Sequence, residues 1–452
     1  YCEDRLLTPR IRENGEWREA SWDEAIAESA EALRSNADKL GVLMSPNAAT
    51  EDFYLARKLA HGLGSKNIDH RLRETDFRDD AVRAADSSFG MKIAGMESAD
   101  AVLLIGCNVR HEAPILGHRI RKAWKAGAEV SVLNPVDWDF MFETGTKQIV
   151  APQEMIQSLA GVANALAETG DQVLPKSIET LVSKAKAGEA EQAIAKSLSG
   201  GDNALVMVGQ SAMSHREAAV LRELARYVAS ACGAALNILT HGANTVGAWR
   251  AGAVPAGGLN AAAMLEENLD AYLLWGIEPE FDIENPARAM NALRAARKVV
   301  AAAEFASGEI LDVADVLLPL APIAESEGSY YNLDGDKFAF DSAGRSSGEV
   351  RPGWKILRRL GATLELEGFE QVSLEGLQSE MAGADSVPDE SAGEIKLKAS
   401  KPAKGFYRVG DVPIYSIDSL CRRATPLQNT VQADNYWVGL NPKDAADLKL
   451  NE

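Results

Sequence analysis

The stretch Ala101-Val102-Leu103-Leu104-Ile105-Gly106-Cys107-Asn108 decides how the whole chain reads. Five apolar residues run without alternation, and a glycine and two small residues follow. A strand that is apolar on both faces must be covered on both, as in a parallel sheet flanked by helices. The run is too short for a buried helix, and the glycine marks a turn. Just downstream, residues 114–126 place Ile115, Ile120, Ala123 and Trp124 at helical spacing. Strand, turn and helix make the unit of an α/β fold.

The unit recurs. Runs rich in Val, Leu and Ile lie at 41–45, 129–133, 204–208, 236–240, 271–275, 298–303 and 313–318. Thr50 is expected to cap a helix whose Phe53, Ala56, Leu59, Ala60 and Leu63 share a face, with Gly64 at the stop. Ser214 is expected to begin another, through Ala218, Leu221, Leu224, Ala225 and Val228. The alternation predicts an α/β fold with doubly wound, mostly parallel sheets. Residues 174–201, polar and Ala-rich, read as a surface helical insertion, and 373–405 as a linker rich in Ser, Glu, Gly, Lys and Pro. Asn441-Pro442 reads as the cap and first turn of a last helix.

With 452 residues the chain has room for two or three domains. Its composition, 46% hydrophobic and 25% charged, is that of a folded globular protein. A net charge of −19 counts against nucleic acid as a partner, because phosphate binding needs a basic face. No apolar run approaches the ~20 residues that span a bilayer, so no direct membrane insertion is expected; the run 271–277 is stopped by Glu278. The start, Tyr1-Cys2-Glu3-Asp4-Arg5, has neither an initiator Met nor the apolar core of a signal peptide, and is expected to lie inside a longer protein. Cys2, Cys107, Cys232 and Cys421 are mutually remote, a spacing that supports neither an iron–sulfur cluster nor a zinc site.

Ligands of open α/β sheets bind beyond the carboxyl ends of the strands. Three such ends carry small or polar residues: Gly106, Cys107 and Asn108; Gly209, Gln210 and Ser211; and Gly276 ahead of Glu278. Glycine lets a ligand approach the backbone, and the amides and hydroxyl offer hydrogen bonds. The same glycines would serve a bare turn, and both readings stand at this point. His111 and His241 follow strand ends and could face such a cleft. Glu325 and Glu327 could form a carboxylate pair for acid–base work, or lie on a solvated loop. There is no GxxxxGK[ST] phosphate loop, no GxSxG elbow and no HExxH helix, and the glycines of 252–258 lack the context of a dinucleotide site.

Taken in order, these motifs resemble the molybdopterin oxidoreductase superfamily. The resemblance is carried by Ser21-Trp22-Asp23-Glu24-Ala25, by Asn47 with Thr50-Glu51-Asp52-Phe53-Tyr54, by Gly106-Cys107-Asn108 with Pro114, and by Asn134-Pro135. Its most specific parts are Ala314-Asp315-Val316-Leu317-Leu318-Pro319 with Glu325, Glu327-Gly328 and Asn332, and then Arg422-Arg423-Ala424-Thr425-Pro426-Leu427-Gln428. Within the superfamily, Asp4-Arg5-Leu6, Arg73-Glu74-Thr75-Asp76-Phe77-Arg78 and Gly242-Ala243-Asn244 look like the large iron–sulfur subunit of NADH:quinone oxidoreductase, the G or 75-kDa type of complex I.

The resemblance implies a formate dehydrogenase/DMSO reductase-like fold with a truncated carboxyl-terminal barrel. It implies a lead-in at 1–19, a first α/β domain at 20–70 plus 250–370, an inserted Rossmann-like domain at 71–249, a linker at 371–405 and a partial dinucleotide-binding-type barrel at 406–452. The superfamily's molybdenum ligand falls at or near Thr75, and a neutral threonine hydroxyl is a poor molybdenum ligand beside a thiolate. The expectation is therefore a non-catalytic structural and assembly region, with no cofactor of its own. Molybdopterin is not expected, and [2Fe–2S] and [4Fe–4S] clusters would sit in a part of the subunit preceding Tyr1. Gly106, Cys107, Asn108, Asn134, Gly209, Gln210, Ser211 and Gly276 would line a vestigial cleft. The partners would be other peripheral-arm subunits, on the cytoplasmic side of a bacterial inner membrane or the matrix side of a mitochondrial one. Two rivals remain: a molybdopterin-dependent, formate-dehydrogenase-like oxidoreductase, and a module whose old cleft takes another small molecule.

Overall fold

Each of the eight apolar runs overlaps a strand. The computed structural model describes residues 4–83, 87–170, 172–267, 269–306, 308–383, 395, 397, 405–410, 412–433 and 438–450. The chain opens with β1 (Arg10–Glu13) and β2 (Glu16–Glu19), then β3 (Leu40–Met44) and β4 (Ile68–Asp69). It next forms β5 (Ala101–Ile105), β6 (Glu129–Asn134), β7 (Lys147–Ile149), β8 (Ala204–Val208) and β9 (Ala235–Ile238). It returns through β10 (Ala271–Trp275), β11 (Lys298–Ala303) and β12 (Val316–Pro319), and adds a hairpin of β13 (Gly328–Tyr331) and β14 (Lys337–Phe340).

Two large sheets result. One has seven strands in the order β2-β1-β12-β11-β10-β3-β4, and the other five in the order β7-β6-β5-β8-β9. The five-stranded sheet is parallel throughout. In the larger sheet antiparallel pairing is confined to β1, which lies between β2 and β12, so the stretch expected as a lead-in closes one edge of the sheet. Leu273 at the centre stands in register with Val42 on one side and Val300 on the other.

The non-alternating runs have the consequence expected of them. Successive strand residues point to opposite faces, and both faces are buried. Val42, Leu273, Trp275 and Val300 join one core, with the helices Trp22–Arg34, Thr50–Gly62 and Gly353–Thr363. Their neighbours Leu43, Tyr272, Leu274 and Val299 join another, under Pro286–Ala295. The smaller sheet repeats this, with Leu103 and Val206 packed on one face and Leu104 and Met207 on the other.

Local expectations fared unevenly. Ser21 caps the helix Trp22–Arg34 and Glu24 reaches back to Ser21, a complete capping box. Asn441 accepts from the Lys443 amide at the start of Pro442–Asp447. Thr50 is no cap: its helix starts at Thr50 itself, and the buried hydroxyl donates to the Ser329 carbonyl. Ser214 ends a turn, and the helix begins at Ala218. Residues 174–201 are no surface appendage, because Val182, Ile194 and Leu198 enter the core of the five-stranded sheet. The expected linker opens with a helix, Leu374–Gly383, docked through Leu377; from 384 to 404 all but residues 395 and 397 lie outside the described residues. The described residues of 406–452 form short helical turns and no strand, so the barrel expected there has no strand among them. Phe406, Val409, Val438 and Leu450 are exposed.

Candidate functional site

The carboxyl ends of the two sheets meet. Ser45 follows β3, Gly276 follows β10, Glu304 follows β11 and Leu320 follows β12, and all four line a cavity of about 200 Å³. His241–Ala243, after β9 of the other sheet, closes one side, and residues 417–420 close another. This is where an open parallel sheet presents its loops to a ligand.

Two carboxyls and two imidazoles of the cavity are shifted toward their neutral forms by burial. Asp52, 7% exposed, accepts a hydrogen bond from Trp275 Nε1 at 3.1 Å. Burial pushes its carboxyl up to about 7; the indole opposes this and Glu51 adds to it. Glu304 accepts from the Ser419 hydroxyl, and burial likewise pushes it up to about 7. His70 is packed edge-on against Phe53 and Trp249, and burial drives it down to about 4. Its Nδ1 lies 2.9 Å from the Ala253 carbonyl. In the neutral ring Nδ1 therefore carries the hydrogen and Nε2 presents a lone pair. That Nε2 is buried and has no partner among the described residues. His241 is also driven to about 4 by burial, with Arg73 adding to the effect.

The residues expected to line a cleft divide. Those after β5, β6 and β8 come together, but they bind one another. Asn134 Oδ1 accepts from the Cys107 amide at 2.9 Å, and the Ser211 amide donates to the Gly106 carbonyl at 3.0 Å. Glu112 accepts from the Asn108 amide through Oε1 at 2.6 Å and from the Gln210 amide through Oε2 at 2.8 Å. The backbone donors that would greet an anionic ligand thus face an internal carboxylate. A Cβ on Gly209 would stand 2.4 Å from Cys107 Cα, so the glycine serves close approach of the two loops. Gly276 lies apart from this knot, in the cavity. His241 lines the cavity as well, whereas His111 is exposed.

Thr75 joins neither group. Its hydroxyl donates to the His215 carbonyl at 2.9 Å, within a crossing segment tied by ion pairs. There Arg71 binds Asp69 and Asp80, Arg83 binds Glu74, and Arg222 binds Asp79. Glu325 and Glu327 form no acid–base pair. Glu325 is buried with both oxygens on Arg5, and Glu327 accepts from Trp354 Nε1.

Sequence reasoning missed Asp52, Glu304, His70 and Glu112 as site residues. Two signals existed. Asp52 falls on the apolar helix face of Ala56, Leu59 and Leu63, where a carboxylate has no solvent. Glu304 directly follows the apolar run 298–303 at a strand's carboxyl end. The segment of Arg422 and Arg423 stands out in the sequence only as a family motif; its pairing with Glu278, with further contacts to Asp282 and Asp4, was not expected. Among the described residues no group of three or more His, Cys, Asp or Glu is placed to hold a metal, and no helix is long and apolar enough to cross a membrane.

A family model described as molybdopterin oxidoreductase matches residues 5–363. The chain is 27% identical over 381 residues to the mitochondrial NADH-ubiquinone oxidoreductase 78 kDa subunit of Neurospora crassa, covering 80% of this chain and 44% of that one. It is 28% identical over 420 residues to the G-type subunit of NADH-quinone oxidoreductase from Mycobacterium bovis, covering 88% of this chain and 48% of that one. The chain thus spans about half the length of the curated relatives it matches. Its fold is similar to that of acetylene hydratase from Pelobacter acetylenicus, with a TM-score of 0.63 at 16% identity over 81% of this chain and 62% of that one.

Proposed function

The chain belongs to the molybdopterin oxidoreductase family, and from that premise we propose that it forms a non-catalytic bracing region of the G-type subunit of NADH:quinone oxidoreductase. The parent assembly would pass electrons from NADH to quinone with proton translocation. Iron–sulfur clusters, [2Fe–2S] and [4Fe–4S], would belong to other parts of the same subunit. This region would pack against neighbouring peripheral-arm subunits, on the cytoplasmic or matrix side of the membrane.

The observation that carries the reading is Thr75. The position expected to bind molybdenum holds a neutral hydroxyl, donated to the His215 carbonyl and outside the cavity lining. A second observation agrees with it. The pterin cofactor implied by the family is anionic, and at the expected cleft Glu112 already occupies the Asn108 and Gln210 amides. A phosphate placed there would lose those donors and meet a like charge. These residues do not fit the group.

The test is made on the chain in its native assembly. Purification should bring down the other subunits of NADH:quinone oxidoreductase, with molybdenum and tungsten well below stoichiometric by elemental analysis. Thr75→Ala should leave NADH:quinone turnover within about twofold, because it removes one hydrogen bond worth about 1 kcal/mol. Stoichiometric molybdenum with pterin fluorescence would instead establish the formate-dehydrogenase-like alternative.

A further inference from the structure

The cavity at the carboxyl ends of the strands has a chemistry of its own, whichever assembly the chain serves. Its polar groups include three acceptors, Asp52, Glu304 and His70. Among the described residues Asp52 and Glu304 have no ion-pair partner; one is met by the Trp275 indole and the other by the Ser419 hydroxyl. His70, only 1% exposed, presents an unpartnered Nε2 lone pair. The one arginine among the described lining residues, Arg73, is held by the carbonyls of Phe281 and Asp282 and by the Asp282 carboxylate. Trp275 and Tyr330 add aromatic surface. Two carboxyls without an ion pair among the described residues, a bare imidazole nitrogen and aromatic walls are complementary to N–H donors that carry positive charge, even with Arg5 acting on Glu304 from a distance.

We propose that this cavity binds a compact organic cation bearing N–H donors, a primary ammonium or amidinium, between Asp52 and Glu304. Its volume, about 200 Å³, lies below the range of about 300–1,000 Å³ for drug-sized ligands and restricts the occupant to a small molecule of up to about ten heavy atoms. Burial keeps both carboxyls partly protonated near neutrality in the empty cavity. A bound cation supplies the direct ion pair that neither carboxyl has among the described residues, and the protons they release leave to solvent. His70 stays neutral and accepts a hydrogen bond. The unpaired acceptors alone do not distinguish ammonium from amidinium, so both are tested.

The experiment is calorimetric titration of the intact protein with benzamidinium and n-butylammonium chloride, each against its neutral counterpart, benzamide and 1-butanol. At least one cation should bind at or below about 1 mM, and at least about tenfold tighter than its counterpart. Asp52→Asn and Glu304→Gln keep the Trp275 and Ser419 hydrogen bonds but lose the charge; each should weaken the cation by about tenfold and leave the neutral compounds unaffected. Thermal melts of both variants establish that they fold, and either variant alone is decisive. The proposal is overturned if neither cation binds up to about 10 mM, if the neutral compounds bind as well, or if the variants bind the cations undiminished.

Discussion

Arg222 and Asp79 face each other wholly buried, with Arg222 Nε 2.8 Å from Asp79 Oδ2 and neither side chain exposed. Arg222 lies on the helix Ala218–Cys232, and Asp79 on the segment that carries the chain between the two sheets. Burial alone would push the Asp79 carboxyl up, but Arg222, with Arg83 and Arg226 adding to it, holds the carboxyl below its usual range. Arg222→Met should cost about 3–5 kcal/mol, because it leaves a buried charge with the partly exposed Arg226 and the more distant Arg83. The pH dependence has a definite sign. A depressed carboxyl contributes stability that is complete above its unfolded pKa of about 3.9 and is lost as pH falls toward the native value. Urea unfolding should therefore show a shallower acid loss in the variant than in the parent protein. An equal acid loss would mean that Asp79 does not report on Arg222.

Glu112 answers two backbone donors at once. Glu112→Ala leaves the Asn108 and Gln210 amides unmet and should cost about 1–3 kcal/mol for each that stays dry. Glu112→Gln, with one carbonyl oxygen to offer, should fall between parent and alanine variant. Chemical denaturation ranks the three, and a neutral alanine variant would show that water replaces the carboxylate.

Asp52 works in the opposite direction to Asp79. Its carboxyl is raised to about 7, so between pH 4 and 7 the native state holds a proton the unfolded chain has lost. That contribution to stability declines as pH rises through the window. Asparagine never ionises, so Asp52→Asn should gain on the parent from pH 5 to pH 8 by a few degrees in Tm. A gap that stays constant across the two pH values would place the ionisation elsewhere.

Gly209 and Gly200 separate close approach from mere flexibility. Alanine at 209 would drive a Cβ into Cys107 Cα, and should cost at least about 2 kcal/mol through the shift it forces. At 200, the last helical residue of Glu189–Gly200, nothing lies within 4 Å of the added Cβ. There alanine should be neutral or stabilising by up to about 1 kcal/mol. Melting temperatures of the two variants should differ accordingly, and equal values would remove the steric account.

The strands were legible because their signal is local. Val102 to Ile105 can be apolar at every position only if both faces are covered, and both are. The site was legible in part. Gly106, Asn134 and Gly209 gather as strand-end residues should, but nothing in their spacing foretold that Glu112 would take the exposed amides. Asp52 and Glu304 meet in one cavity across more than half of the sequence, a proximity made by sheet order rather than by pattern. Thr50 shows the same limit at small scale. Its hydroxyl was judged against its own helix, while its partners, Ser329 and Asn244, come from distant parts of the chain.

The order of strands also bears on the birth of the molecule. Leu40 of β3 stands in register with Ala271 of β10, and all of β5 to β9 lies between them in the chain. A ribosome delivers residues from the amino end, so the five parallel strands emerge as a complete set while β3 still lacks its central neighbour. The smaller sheet can close during synthesis, whereas the larger must hold β3 and β4 unpaired on the β10 side until the later strands arrive. In that interval Val42 and Leu43 present an open apolar edge, and a nascent chain stalled before residue 271 is the species most exposed to chaperone capture or aggregation.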